Sequence, residues 1–275
     1  MTVKEYYLKH FDELPEEKRF HLATRLKNWF GGTEFDEFLA EHEPSHDLAP
    51  LLTNDDYSRV NFIDERRPFF EKYKGIYALE ATLCRVLHLW MEYGVDLRED
   101  LLDAYGRERL SGLCDKLRND DGCLFVLTTW VVNVLALTEE MYPRGIDVYK
   151  EMLVKTLAHE QTVMCVYLYT HIMLCESRFY RNKELKHLDL YREAMQNCDR
   201  IIAENFDEVT LDMKFEFLVC AQMVGYEVQC KEKIRAEADL NKGDFVKDPR
   251  KADRLNTLAG AEHRNVLYMM SGLDI

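Results

Sequence analysis

Two pairs of cysteine and histidine have a spacing that suits metal binding. Cys84 and His88 are four residues apart, and so are His171 and Cys175. Side chains at this spacing lie on the same face of an α-helix, so each pair can present a thiolate and an imidazole together. Zinc prefers a tetrahedral set of such ligands. If the two helix faces meet, these four residues are the candidate metal ligands of the chain.

The same histidines also have a purely structural interpretation. Both lie within apolar runs of the sequence, where a buried imidazole usually forms a hydrogen bond with a backbone carbonyl or a carboxylate. Structural zinc sites more often show the closer cysteine spacing of a Cys-x-x-Cys motif. We therefore expect His88 and His171 to be core residues, and we keep zinc binding as the alternative.

A third candidate is the dipeptide His46-Asp47. This dipeptide stands at the centre of the metal site in HD-type phosphohydrolases, which are also all-helical. Here it lies between two prolines, Pro44 and Pro50, and not in a recognisable helix, and a motif outside its structural context is only a hypothesis. The chain has no glycine-rich phosphate loop and no Gly-x-Ser-x-Gly motif. We expect a non-catalytic protein.

Two apolar segments must form the centre of the fold that positions these residues. Neither residues 123–137 nor residues 163–175 contain Asp, Glu, Lys or Arg. A helix that is apolar on all sides belongs in an interior, and neither segment reaches the roughly 20 residues that span a bilayer. We expect both to be helical, and to pack as a buried central pair of a soluble protein with no membrane span.

The rest of the chain has the spacing of helices and no hairpin signal. Residues 188–206 and 211–224 have the pattern of amphipathic helices, and Thr2 with Glu5 forms a capping-box pattern. These patterns predict an all-α fold, an irregular array of antiparallel helical hairpins around the buried pair. We expect one domain, residues 1–275, with residues 1–60 as a loosely attached helical cap.

Three apolar runs end alike, in a glycine, one further residue and an acid. These endings are residues 94–96, 225–227 and 272–274. They are compatible either with glycine helix caps or with a degenerate repeat. Because the glycines are 131 and 47 residues apart, no fixed period supports a repeat. We expect glycine caps, each followed by an acid that caps or solvates the next segment.

The composition restricts the partners and the compartment. The 275 residues carry a net charge of −14, which disfavours binding to nucleic acid or to an anionic membrane. Residues 178–186 and 242–254 contain local basic clusters, which we expect to be solvated loops. The N-terminus shows no apolar signal segment. We therefore expect a cytoplasmic protein whose eight cysteines are reduced.

Function is the least determined property of this sequence. Helical arrays commonly offer concave binding faces, so we expect an interaction or scaffold protein, without a cofactor, whose partner is another protein. One alternative is a metal-dependent helical enzyme, either zinc-dependent or HD-like. The other is a small-molecule binder, with a pocket lined by tyrosine and methionine side chains of residues 164–173 and 213–226.

Overall fold

The computed structural model describes residues 1–43, 45–47, 86, 89–106, 108, 162–177 and 179–274. Within these ranges the regular structure is helical and contains no strand, which confirms the all-α prediction. The predicted central segment 123–137 lies outside the described residues. The chain divides into two compact units, residues 1–42 with 161–275 and residues 43–160. The single-domain organisation, the cap and the hairpin arrangement stay predictions.

The described ranges contain nine α-helices. They are α1 (Val3–Lys9), α2 (Glu16–Phe30), α3 (Asp36–Glu41), α4 (Arg98–Tyr105), α5 (Thr162–Glu176), α6 (Leu188–Glu204), α7 (Leu211–Met223), α8 (Lys231–Leu240) and α9 (Glu262–Met270). Helix α4 and a π-helical turn, Leu89–Tyr93, belong to the unit of residues 43–160. The other eight helices belong to residues 1–42 and 161–275, which we call the first unit.

The N-terminal helix begins at the predicted capping box. The Thr2 hydroxyl accepts a hydrogen bond from Glu5 N at 3.1 Å, and Thr2 N donates to the Glu5 carboxylate at 2.8 Å. Two further amides, Val3 N and Lys4 N, donate to the carboxylate of Asp274 at 2.9 and 2.8 Å. Together these bonds satisfy the amides that a helix start leaves open, and they hold the two ends of the chain together.

The shared helix endings are glycine caps, as the sequence predicts. Gly94, Gly225 and Gly272 have φ angles of 71°, 64° and 72°, a left-handed conformation that glycine adopts without steric cost. Two of the acids that follow then act as caps. Asp274 caps α1, and Asp96 accepts a hydrogen bond from Arg98 N, the first residue of α4, at 3.1 Å. Cap chemistry therefore accounts for this pattern.

Helix α7 is enclosed by α5, α6, α8 and α9. Every residue from Met213 to Ala221 is buried, so the prediction of an amphipathic helix here was wrong. Two of its charged residues, Lys214 and Glu216, are buried inside the unit. Lys214 Nζ, for example, donates to Phe206 O at 2.7 Å and to Glu237 Oε2 at 2.6 Å. The charge is therefore paired without contact with water.

Helix α5 covers the predicted apolar segment 163–175, and it packs against α6 and α7. Helix α9 packs against α1, α2 and α7. The four cysteines whose side chains are described are buried thiols, none of them in a disulfide: Cys165, Cys198, Cys220 and Cys230. Burial raises the pKa of the Cys165 thiol to about 11. Among the described helices, none combines the length and the apolar character that crossing a bilayer requires.

Candidate functional site

Of the four predicted zinc ligands, only His171 has a described side chain. Its Nδ1 lies 2.7 Å from Tyr167 O, one turn earlier in α5, and 3.5 Å from Glu216 Oε1. Cys84 and His88 lie outside the described residues, and so does the side chain of Cys175. Zinc binding by these four residues therefore stays the alternative hypothesis. His171 is partly buried, and its neighbours are a backbone carbonyl and a carboxylate, the partners expected of a structural histidine.

The HD-like dipeptide lies at an exposed position. His46 Nε2 is 2.9 Å from Glu43 Oε1, and both side chains are exposed. Asp47 is also exposed, and its amide donates to the Ser45 hydroxyl. Throughout the described ranges, no three His, Cys, Asp or Glu side chains come together in a way that could hold a metal ion. The metal-enzyme hypothesis thus has no support from the part of the chain that is described.

The second basic cluster is largely paired with acids of the same unit. Lys242 Nζ is 3.3 Å from the carboxylate of Asp274, and Lys251 Nζ is 4.0 Å from that of Asp212. Arg250 contacts the carboxylates of Asp248 at 2.8 Å and Glu237 at 2.6 Å. These cations fix loops to helices, so we assign the cluster a structural role.

The first unit contains a pocket of about 190 Å³. It lies between α2, α5, α7 and α9 and is closed on one side by the turn that follows α5. Its lining combines ionisable, aromatic and aliphatic side chains, which come from both ends of the sequence. The lining residues are His21, Arg25, Tyr167, His171, Leu174, Phe179, Tyr180, Glu216, His263, Val266 and Leu267.

The turn after α5 places two aromatic rings on the pocket in an uncommon backbone conformation. Phe179 and Tyr180 have φ angles of 49° and 75°, and bulky residues rarely adopt these values. Hydrogen bonds hold the turn: Phe179 N donates to Leu174 O at 2.9 Å, and Tyr180 N donates to the Ser177 hydroxyl at 3.1 Å. Backbone strain of this kind often occurs where a ligand is held.

The turn is also attached to α2. The Arg25 guanidinium stacks over the Phe179 ring at 4.3 Å from its centre. Trp29 meets the Tyr180 ring edge to face, with ring centres 5.9 Å apart. Lys183 Nζ donates to Trp29 O at 3.0 Å. Helix α2 thus keeps both aromatic walls of the pocket in place.

Glu216 is the most unusual residue of the pocket. It extends from the enclosed helix α7 and is only 4% exposed. Its Oε1 accepts no hydrogen bond from any residue that the structure describes, although His171 Nδ1 lies 3.5 Å away. A buried acceptor without a donor costs about 1–3 kcal/mol, and more when it is charged. This oxygen can therefore accept a hydrogen bond from a donor that enters the pocket.

The charges of Glu216 and Arg25 both act on the phenol of Tyr180. Burial raises the pKa of Tyr180 well above its usual value, and the negative charge of Glu216 raises it further. The positive charge of Arg25 opposes this increase in pKa. An acid, a guanidinium cation and a phenol thus line the same pocket.

His21 lies at the edge of the pocket and is held by a second buried acid. Its Nδ1 is 2.7 Å from Glu262 Oε1, and Lys18 Nζ is 3.6 Å from Glu262 Oε2. Burial alone would raise the pKa of the Glu262 carboxyl, but the His21 and Lys18 side chains hold it below its usual value. The exposed His263 ring lies against that of His21, with ring centres 5.3 Å apart.

The sequence identified only part of this pocket. Tyr167 and Glu216 come from the two segments predicted to line a small-molecule site, but no methionine is among the described lining residues. His21, Arg25 and His263 were missed, because no motif or spacing relates α2 to α9. Comparisons with protein-family models, with curated proteins and with solved structures gave no match for this chain. Function is therefore inferred from the site.

Proposed function

We propose that this chain binds a small molecule in the pocket between α2, α5, α7 and α9. The observation that carries the proposal is the buried carboxylate of Glu216, whose Oε1 has no hydrogen-bond donor among the described residues. A ligand that supplies a donor would remove the cost of this open acceptor. Binding sites of this kind typically combine an apolar lining with a few convergent polar groups.

The size of the pocket restricts the ligand. Drug-sized ligands occupy clefts of roughly 300–1,000 Å³, and this pocket has about 190 Å³. We therefore expect a compound smaller than a typical drug molecule.

The predicted interaction or scaffold function stays a prediction. In the described part of the chain, the exposed large apolar residues are Met1, Phe30, Leu188 and Leu240. They are widely separated in the sequence, and single exposed apolar residues are normal for any surface. The pocket is therefore the feature that favours one of the candidate functions, and we prefer ligand binding to an interaction or scaffold function.

A thermal-unfolding screen tests the proposal. Purified full-length chain is unfolded in the presence of small amines, carboxylates, zwitterions and neutral polyols. A compound that occupies the pocket should stabilise the chain, by about 2.7 kcal/mol at a concentration near 100 times its Kd. Leu174→Phe, which enlarges a lining side chain, should abolish this stabilisation because it fills the pocket.

Leu240→Phe is the matched control, because Leu240 is 86% exposed and lies outside the pocket. This variant should respond to the compound as the unmodified chain does. If every stabilising compound acts equally on the Leu174 and Leu240 variants, the pocket is not the binding site and the proposal is wrong.

A further inference from the structure

Three side chains of the pocket wall have an atom that can accept a hydrogen bond from a ligand. The first is Glu216, which is 4% exposed and whose Oε1 has no donor among the described residues. The other two are the imidazoles of His21 and His171, which line the pocket and are only partly buried. What each imidazole offers a ligand depends on which of its nitrogens carries the proton.

The existing contacts of both histidines place that proton on Nδ1. His171 Nδ1 lies 2.7 Å from Tyr167 O, and a backbone carbonyl can only accept, so this nitrogen is the donor. His21 Nδ1 lies 2.7 Å from Glu262 Oε1, and the pKa of the Glu262 carboxyl is below its usual value, so the ionised carboxylate is again the acceptor. In the neutral ring, Nε2 is then an acceptor. Neither Nε2 has a hydrogen-bond partner within the described part of the chain.

The positively charged side chain of the wall is already engaged. The Arg25 guanidinium stacks over the Phe179 ring, 4.3 Å from its centre, and Arg25 is 8% exposed. It holds the turn after α5 in place, and the ligand contacts inferred below do not involve it.

A ligand that matches the open acceptors must supply donors. A hydrogen bond between oppositely charged groups is shorter and stronger than one between neutral groups. A primary ammonium group has three N–H donors and no acceptor, so it can satisfy Glu216 Oε1 without adding a further acceptor to the pocket. A carboxylate ligand would instead place a second group that can only accept beside this oxygen.

The rest of the wall determines the uncharged part of the ligand. Leu174, Val266 and Leu267 contribute aliphatic surface to the pocket. An apolar ligand group gains free energy when it and such surfaces are removed from water. The ligand therefore has a donor end and an apolar end within a volume of about 190 Å³.

We propose that the ligand is a small primary amine with an aliphatic substituent. Its ammonium group donates to Glu216 Oε1. His171, whose Nδ1 lies 3.5 Å from that oxygen, and His21 are the acceptors available to its other N–H groups. The aliphatic side chains of α5 and α9 enclose the substituent. This inference rests on the proposed function, that the pocket binds a small molecule.

Calorimetric titration of the full-length chain with matched probes tests this inference. The amines are propylamine, 3-methylbutylamine and 2-phenylethylamine, and each is compared with the alcohol and the carboxylate that share its apolar group. We expect at least one amine to bind, with a Kd at least about tenfold lower than that of its alcohol and of its carboxylate analogue. The reason is that a charge-assisted hydrogen bond is roughly twice as strong as a neutral one.

A variant then assigns the amine contact. Glu216→Gln keeps the shape of the side chain and removes its charge, so amine binding should weaken by roughly ten- to a hundredfold. Binding of the alcohol should change little, because the glutamine amide oxygen still accepts. The matched control is Glu232→Gln, because Glu232 is an exposed acid on α8, and this variant should bind the amine as the unmodified chain does. The probe comparison needs no variant, so it stands even if Glu216→Gln unfolds.

The two proposals fail in different ways. If no amine binds, if the alcohol or the carboxylate binds as tightly as the amine, or if Glu216→Gln binds the amine with unchanged affinity, the ligand class is wrong. The proposed function survives that result when another compound loses its effect in Leu174→Phe. If Leu174→Phe changes the effect of no compound at all, the proposed function fails together with this inference.

Discussion

Replacing Phe215 with alanine is expected to destabilise the first unit by about 3–5 kcal/mol. Phe215 lies in the enclosed helix α7, is fully buried and packs against Tyr268 of α9 with ring centres 5.3 Å apart. Removal of the ring leaves a cavity that neighbouring helices fill only in part. Because an ordinary domain has a stability of roughly 5–15 kcal/mol, the urea midpoint followed by circular dichroism should decrease strongly.

Phe30→Ala is the control for this experiment. Phe30 is 51% exposed, and Lys4 Nζ lies over its ring, 4.8 Å from the ring centre. Its truncation should cost less than about 1 kcal/mol. Equal midpoints for the two variants would contradict the central position of α7, since a core residue and a surface residue would then be equivalent.

Replacing Asp248 with alanine should cost about 3 kcal/mol or more, the lower end of the range for breaking a buried ion pair. The buried carboxylate accepts from Leu211 N at 2.7 Å, where α7 begins, and from Arg250 N and Nε at 3.0 and 2.8 Å. The variant leaves the Leu211 amide without this acceptor. Arg250 keeps its ion pair with Glu237, whose Oε1 lies 2.6 Å from Arg250 Nη2, and this limits the loss of stability.

The same residue predicts a dependence of stability on pH. Burial tends to raise the pKa of Asp248, but the bonds from Arg250 and Leu211 hold it below its usual value. A carboxyl with a lowered pKa in the folded state contributes stability above its unfolded pKa of about 3.9, and it loses this contribution as the pH falls through the folded pKa. The difference in unfolding free energy between the unmodified chain and Asp248→Ala should therefore decrease below about pH 4.

Asp253→Ala provides the comparison, because Asp253 is exposed. Chemical denaturation of all three proteins between about pH 3 and pH 7 covers the window in which aspartates titrate. A difference for Asp248→Ala that stays constant across this window would mean that its charge does not stabilise the fold.

Local features of the fold were predictable from the sequence. The capping box at Thr2 and the left-handed glycines at 225 and 272 depend on neighbouring residues alone. Helix α5 was predictable because its segment contains no Asp, Glu, Lys or Arg. These features follow from backbone chemistry within a few residues, and such chemistry is visible in one sequence.

Features that depend on tertiary contacts were not predictable. Helix α7 contains Asp212, Lys214 and Glu216, three charged residues that the sequence alone would place in contact with water. Their partners include Arg264, 52 residues away from Asp212, and Glu237, 23 residues away from Lys214. The pocket depends on similar long-range pairing, since α2 and α9 meet through His21 and Glu262. Only the folded chain reveals such pairs.

The central claim is that the pocket holds a ligand. Methyl NMR of the aliphatic residues in the first unit tests this claim most directly. The compound that stabilises the full-length chain most in the thermal screen is titrated into chain with labelled leucine and valine methyl groups. The largest shift changes should occur at Leu174, Val266 and Leu267, which line the pocket, while Val3 and Leu39, which do not, remain unchanged. Unchanged signals from the three lining residues at saturating compound would contradict the claim.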